Sequence, residues 1–213
     1  MDLFSSSKQI KIRVTELEKQ IRFILMTLKS ELRAKIKSLQ ASYSSSEIKN
    51  HSKIICTHLS YWFESRDIEH VGIYLAMPDE INLSTFTDRL LAQGRKVYAP
   101  KYIPADMGYS FCEIKSDSIM KVGKFKLPEP LGAPTDLNKI QAILAPGLAF
   151  DSTGVRLGRG GGFYDRIFSA FSGIRIGICN QFQIIPKLPH DEWDQLVDWV
   201  CNEKDGMKEC REN

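Results

Sequence analysis

The chain is poor in the groupings that mark much small-domain chemistry. Its five cysteines (Cys56, Cys112, Cys179, Cys201 and Cys210) are odd in number, scattered and never spaced as C-x-x-C. That pattern argues against a disulfide framework or a structural zinc site and points to a reducing compartment. The four histidines, His51, His58, His70 and His190, do not cluster, so a metal is expected on carboxylates. Apolar runs are only a few residues long, too short to span a bilayer. Asp2 stands early and no apolar core precedes a small-residue cleavage site, which makes a poor signal peptide. A cytoplasmic location is therefore expected, with no membrane partner. A net charge of +3 suits an anionic small molecule better than nucleic acid. The basic stretch from Lys8 to Lys37 is interrupted by Glu16, Glu18 and Glu31 and shows no aromatic–basic interleaving, so no nucleic-acid partner is expected. Internal repeats, low-complexity tracts and Ser–His or Cys–His constellations are absent as well.

What is present is ordinary globular composition over 213 residues, 43% hydrophobic and 26% charged, enough for one large or two small domains. Ile10, Val14, Leu17, Ile21, Ile24 and Leu28 recur every three or four residues, predicting a long helix from Lys8 to about Gln40. Ser44-Ser45-Ser46-Glu47 reads as a break and a capping box opening a second amphipathic helix. Strands are predicted over Val71 to Met77, Lys96 to Ile103, Tyr109 to Ile114, Ala142 to Phe150 and Ile174 to Cys179. Ser84 to Gln93 is a short helix closed by Gly94, and Lys124 to Asp136 a Pro- and Gly-rich loop. The fold class is α/β: a single-domain mixed, largely parallel sheet flanked by helices, with a long N-terminal helix. In such sheets ligands sit beyond the carboxyl ends of the strands. Asp79-Glu80, Lys101 and a glycine-rich loop all fall there.

That loop is the sharpest feature. Arg156-Leu-Gly158-Arg159-Gly160-Gly161-Gly162-Phe163-Tyr164-Asp165 places four glycines in five positions, which lets backbone N–H groups approach an anion. A helix expected over Phe163 to Phe171 would present its N-terminus to phosphate. Arg156 and Arg159 add charge there, and Asp165 is suited to Mg²⁺. The loop is neither a Walker A motif, lacking Gly-Lys-Ser/Thr, nor the dinucleotide fingerprint, since Phe163 replaces the third glycine. Taken alone, it reads equally as a plain connection.

The longer segment LAPGLAFDSTGVRLGRGGGFYDR, from Leu144 to Arg166, resembles the signature of the 5-formyltetrahydrofolate cyclo-ligase family almost residue for residue. Four further blocks match in the family's order: Lys29-Ser-Glu-Leu-Arg33, Leu75-Ala-Met77-Pro-Asp-Glu80-Ile, Phe125-Lys-Leu-Pro-Glu-Pro130, and Leu188-Pro189 through Trp193-Asp194. Gly161 stands where some members carry Lys. The resemblance runs from about Met26 to about Asp198. Residues 1–25 are thus expected to be a helical extension and residues 26–213 the cyclo-ligase domain, with Met26 as a possible functional start because MTLKSELR reads like the family's beginning.

The resemblance implies ATP- and Mg²⁺-dependent cyclisation of 5-formyltetrahydrofolate to 5,10-methenyltetrahydrofolate by a monomer acting on small molecules. A formamide oxygen leaves poorly. Phosphorylating it and letting N10 attack needs positioning and charge neutralisation, not a nucleophilic side chain. By that resemblance Lys29, Arg33, Arg156, Gly158, Arg159, Gly160, Gly161, Gly162, Phe163 and Tyr164 bind ATP. Leu75, Met77, Glu80, Phe125 and Tyr164 bind the folate, with Glu80 accepting from the pterin. Arg159 and Tyr164 act on the formyl oxygen or moving phosphoryl group. Asp165 and Asp194 hold Mg²⁺, with Asp198 a weaker third. Asp191 and Glu192 read as solvated charge, and Lys101 or Lys124 as candidates for the glutamate tail. On pattern alone Lys29 and Arg33 are a solvated helix stripe, and Leu75 and Met77 are core. A non-catalytic folate- or nucleotide-binding homologue is the alternative reading.

Overall fold

The computed structural model describes residues 3–104, 108–123 and 126–210, with side chains from residue 16 onward. Helix α1 (Leu3–Gln40) runs unbroken through the boundary expected near residue 25, and α2 (Ser45–Glu64) follows. Ser44 caps α2 with the reciprocal capping box: its side chain accepts from the Glu47 N–H while the Glu47 carboxylate accepts from the Ser44 N–H. Two of the four orphan donors of the first turn are thereby satisfied.

After β1 (His70–Gly72) and α3 (Ser84–Ala92) the chain lays down β2 (Lys96–Ile103), β3 (Gly108–Ile114), β4 (Met120–Val122), β5 (Pro128–Pro130), β6 (Ala142–Pro146), β7 (Ala149–Phe150) and β8 (Arg156–Leu157). Then come α4 (Phe163–Phe168), β9 (Ile174–Ile178), β10 (Trp199–Asn202) and β11 (Gly206–Glu209). Among the described residues seven strands form one sheet in the order β11-β10-β9-β6-β1-β2-β3. The five inner strands run parallel, and β3 and β11 close the two edges antiparallel. Two-residue periodicity sorts the core onto both faces. Ala142, Leu144, Val97 and Ala99 pack toward α2 and α3, while Ile143, Ala145 and Tyr98 pack with Ile167 and Phe168 of α4. A third cluster, Ile36 with Leu148, Ala149, Val155, Leu157 and Leu188, seats the C-terminal half of α1 on the β7–β8 hairpin.

Several elements depart from the sequence reading. The strand expected from Val71 to Met77 is regular only over His70–Gly72; the Ile73 N–H still donates to the Tyr98 carbonyl at 2.8 Å, and further on the Met77 N–H turns to the Glu80 carboxylate at 2.9 Å. The strand expected from Ala142 to Phe150 divides at Pro146-Gly147, where proline has no N–H for a ladder. The helix expected to reach Phe171 ends at Phe168 and continues as single turns. The loop from Lys124 to Asp136 contains β5, paired with β4.

Candidate active site

Three breaks in regular structure converge beyond the strand ends: the turn after β1, the Pro146-Gly147 step after β6, and the loop between β8 and α4. Together with α1 they enclose a cavity of about 440 Å³ lined by apolar and charged groups. Lys29, Arg33, Leu75, Met77, Glu80, Arg156, Gly158, Arg159, Gly160, Gly161, Gly162, Phe163, Tyr164, Asp165 and Asp194 all line it, so sequence positions 165 apart meet in one wall. Phe125 and Lys124 lie outside the described residues. Asp198 accepts the Arg175 N–H at 2.7 Å, away from the cavity, and Lys101 donates to the Leu131 and Gly132 carbonyls.

Helix α1 reaches the site through one face. Lys29 pairs with Asp194, Arg33 Nε donates to the Gly158 carbonyl at 2.9 Å, and Gln40 Nε2 donates to the Asp79 carbonyl. Residues at this spacing share one side of a helix, so one rigid rod ties the late acidic segment, the glycine loop and the acidic turn together. In the loop, Gly160 and Gly162 hold φ of 98° and 62°, left-handed values that suit glycine. Gly162 is also the residue from which α4 starts, with no side-chain cap.

The ionisable groups are neutralised in pairs. Arg156, its side chain only 4% exposed, donates to Asp165 at 3.0 Å and lies 5.4 Å from the Tyr164 ring centroid. Its Nε is buried with no hydrogen-bond partner, a donor left over in the cavity wall. Arg159 bridges Asp79 at 2.8 Å and Glu80 at 3.1 Å. Burial pushes the Glu80 carboxyl up, while the Met77 N–H and Arg159 offset part of that rise. Burial and the nearby Glu80 charge hold the Tyr164 phenol far above its ordinary range, so Tyr164 stays a hydrogen-bond donor and is no general base. Tyr109, edge-on to Phe163 at 5.0 Å, is pushed up to about 12, chiefly by burial.

Among the described residues no three His, Cys, Asp or Glu side chains converge as a metal cluster. The Asp165 hydrogen bonds fall on Oδ1, and those of Asp194 on Oδ2. No helix among them is long and apolar enough to cross a membrane. Sequence reasoning placed Asp79 at the strand ends without giving it a role, and passed over Gln40 and Tyr109. Only Asp79 carried a signal, as a carboxylate beside Glu80 in a turn at a strand end. Asp151, within the Pro-Gly-x-x-Phe-Asp signature, is structural: its Oδ1 accepts from Thr153 and Val155 and its Oδ2 from Leu188.

Comparison with known proteins gives the family and the fold. The chain is 28% identical over 173 residues to a 5-formyltetrahydrofolate cyclo-ligase of Haemophilus influenzae, covering 78% of this chain and 92% of that protein. An Aquifex aeolicus 5,10-methenyltetrahydrofolate synthetase superposes with a TM-score of 0.78 at 30% identity, over 87% of this chain and 94% of that one. A Mycoplasma pneumoniae 5,10-methenyltetrahydrofolate synthetase shares the fold with a TM-score of 0.69 at 23% identity, over 83% of this chain and 99% of that one. The family profile itself matches residues 25–203, and the chain belongs to the 5-formyltetrahydrofolate cyclo-ligase family.

Proposed function

We propose that this enzyme converts 5-formyltetrahydrofolate to 5,10-methenyltetrahydrofolate at the expense of ATP. The observation that carries the reading is one continuous cavity with two chemically different ends. One end has the partly buried acceptor Glu80 beside apolar Leu75 and Met77. The other has the glycine loop among Lys29, Arg33 and Arg156. A pterin presents N–H donors on a flat apolar ring, which suits the first end. A triphosphate needs N–H donors and cations, which suits the second.

In this reading the γ-phosphoryl group moves from ATP to the formyl oxygen with ADP as the leaving group, and N10 attacks the formyl carbon. The phosphate departs with that oxygen, N10 loses its proton, and ADP and phosphate are released. Lys29 and Arg33 hold the triphosphate, and the buried Arg156 adds positive charge behind the loop. Arg159 stabilises the charge of the moving phosphoryl group. Tyr164, kept protonated, donates to the formyl oxygen as charge grows there. Asp165 and Asp194 fit Mg²⁺, since hard cations on phosphates need only one or two carboxylates. Bound there, Mg²⁺ would neutralise phosphate charge.

Incubation with 5-formyltetrahydrofolate and Mg-ATP, following the near-ultraviolet absorbance of the methenyl product, tests the proposal. Product formation with ATP consumption dependent on the folate supports it. ATP consumption at the same rate without folate, or binding of both ligands without turnover, overturns it in favour of a nucleotidase or a binding homologue.

A further inference from the structure

Arg159 belongs to the glycine loop, yet its guanidinium points away from the phosphate end. Nη2 donates to Asp79 Oδ1 at 2.8 Å and Nε to Glu80 Oε1 at 3.1 Å. Glu80 Oε2 is already taken by the Met77 N–H at 2.9 Å. Each Glu80 oxygen thus carries one protein donor, and of the two only the Arg159 side chain, unlike the Met77 backbone N–H, can move aside for a substrate. Asp79 is itself fixed, because Gln40 Nε2 of α1 holds its carbonyl. Its side chain is 43% exposed and contacts Arg159 from the solvent side. The loop's other arginine contact differs in kind: Arg33 grips the Gly158 carbonyl from α1 and makes no contact with the Arg159 side chain's two carboxylate partners.

We propose that Asp79 is a positioning residue that parks Arg159 at the folate end until the folate arrives, so that the two substrates bind with positive coupling. This inference rests on the function proposed above. A pterin donor entering at Glu80 Oε1 competes with the Arg159 Nε for that oxygen. Losing one of two anionic partners weakens the hold on the guanidinium, which then turns toward the triphosphate. Reciprocally, a nucleotide that draws Arg159 away uncovers Glu80, since coupling between two sites acts equally in both directions. Without folate, Arg159 stays parked and the phosphate end lacks one cation, which disfavours idle ATP consumption.

The test is equilibrium titration of the full chain with Mg²⁺ and a non-hydrolysable ATP analogue, with and without saturating 5-formyltetrahydrofolate. For a half-exposed charge pair the expected size is modest: the folate tightens the nucleotide by about 3- to 10-fold. In Asp79→Asn the nucleotide alone binds about as tightly as it binds the wild-type folate complex, and the coupling falls toward onefold. In an Arg159→Met background the same substitution changes neither value. A role confined to folding would instead lower the melting temperature and weaken both ligands together, with the coupling factor kept. Coupling of onefold in the wild type, or equal coupling in wild type and Asp79→Asn, overturns the inference while leaving the proposed function standing. Failure of either ligand to bind overturns both.

Discussion

The two ends proposed for the cavity, one for phosphate and one for folate, are built by opposite means. The phosphate end is woven into the scaffold: Arg156 is buried on Asp165, Lys29 joins α1 to Asp194, and Arg33 ties α1 to the loop carbonyl of Gly158. The folate end is a short irregular turn after β1, where Glu80 is held by one backbone N–H and one arginine that belongs to the other end. Buried ion pairs that lose a partner leave an uncompensated charge, whereas a turn carboxylate can be replaced with little strain. The difference teaches that substitutions at the phosphate end should disturb fold and function together, and those at the folate end function alone.

The largest effect is expected at Arg156. Arg156→Met removes the charged partner of the partly exposed Asp165 carboxylate and should cost about 1.5–3 kcal/mol of stability, read as a lower denaturant midpoint. A cost below about 1 kcal/mol, in the range of a surface ion pair, would erase the proposed contrast between the ends. Next comes Lys29→Met, which removes both the partner of Asp194 and a phosphate donor. The loss of a charged hydrogen bond of about 1.5–3 kcal/mol should weaken ATP about 10- to 150-fold, with folate affinity unchanged in direct titrations. The smallest effect is a pH shift. In the proposed role Glu80 would accept from the pterin only when ionised, and its raised pKa should make folate binding fall off on acidification sooner than an ordinary carboxylate would. Arg159 lowers that pKa, so Arg159→Met should move the acid limb of folate binding to higher pH. An acid limb that stays in place would mean Glu80 does not govern folate binding.

Much of this was legible in the sequence, and the exceptions have physical causes. Strands β2, β3 and β9 follow local periodicity and appear as expected, as do α1, the capping box at Ser44 and the stop at Gly94, whose φ is 78°. Strands β10 and β11 were missed because four residues each are too few to show a period. Their one signal is Asp205-Gly206, with Gly206 at φ 69° closing the hairpin. At the site, the charged residues were named from motifs, but their pairings were not. That Lys29 meets Asp194 across 165 positions, or that Arg159 reaches back to Asp79 and Glu80, is set by sheet order, which no local pattern encodes. Asp79 was read only as part of an acidic turn, since nothing in its neighbours distinguishes an arginine clamp from a solvated carboxylate.

The most direct test of the two-ended cavity is a crossed titration of Glu80→Gln and Arg33→Ala against each ligand separately. Glu80→Gln keeps the shape but removes the charge, so it should weaken 5-formyltetrahydrofolate by about 10- to 150-fold, the equivalent of one charged hydrogen bond of about 1.5–3 kcal/mol. It should not weaken the nucleotide, and by loosening Arg159 it should tighten it slightly. Arg33→Ala should do the reverse, weakening the nucleotide and leaving the folate nearly intact. If both variants lose both ligands equally, or if Glu80→Gln loses only the nucleotide, the assignment of folate and phosphate to opposite ends of the cavity is contradicted.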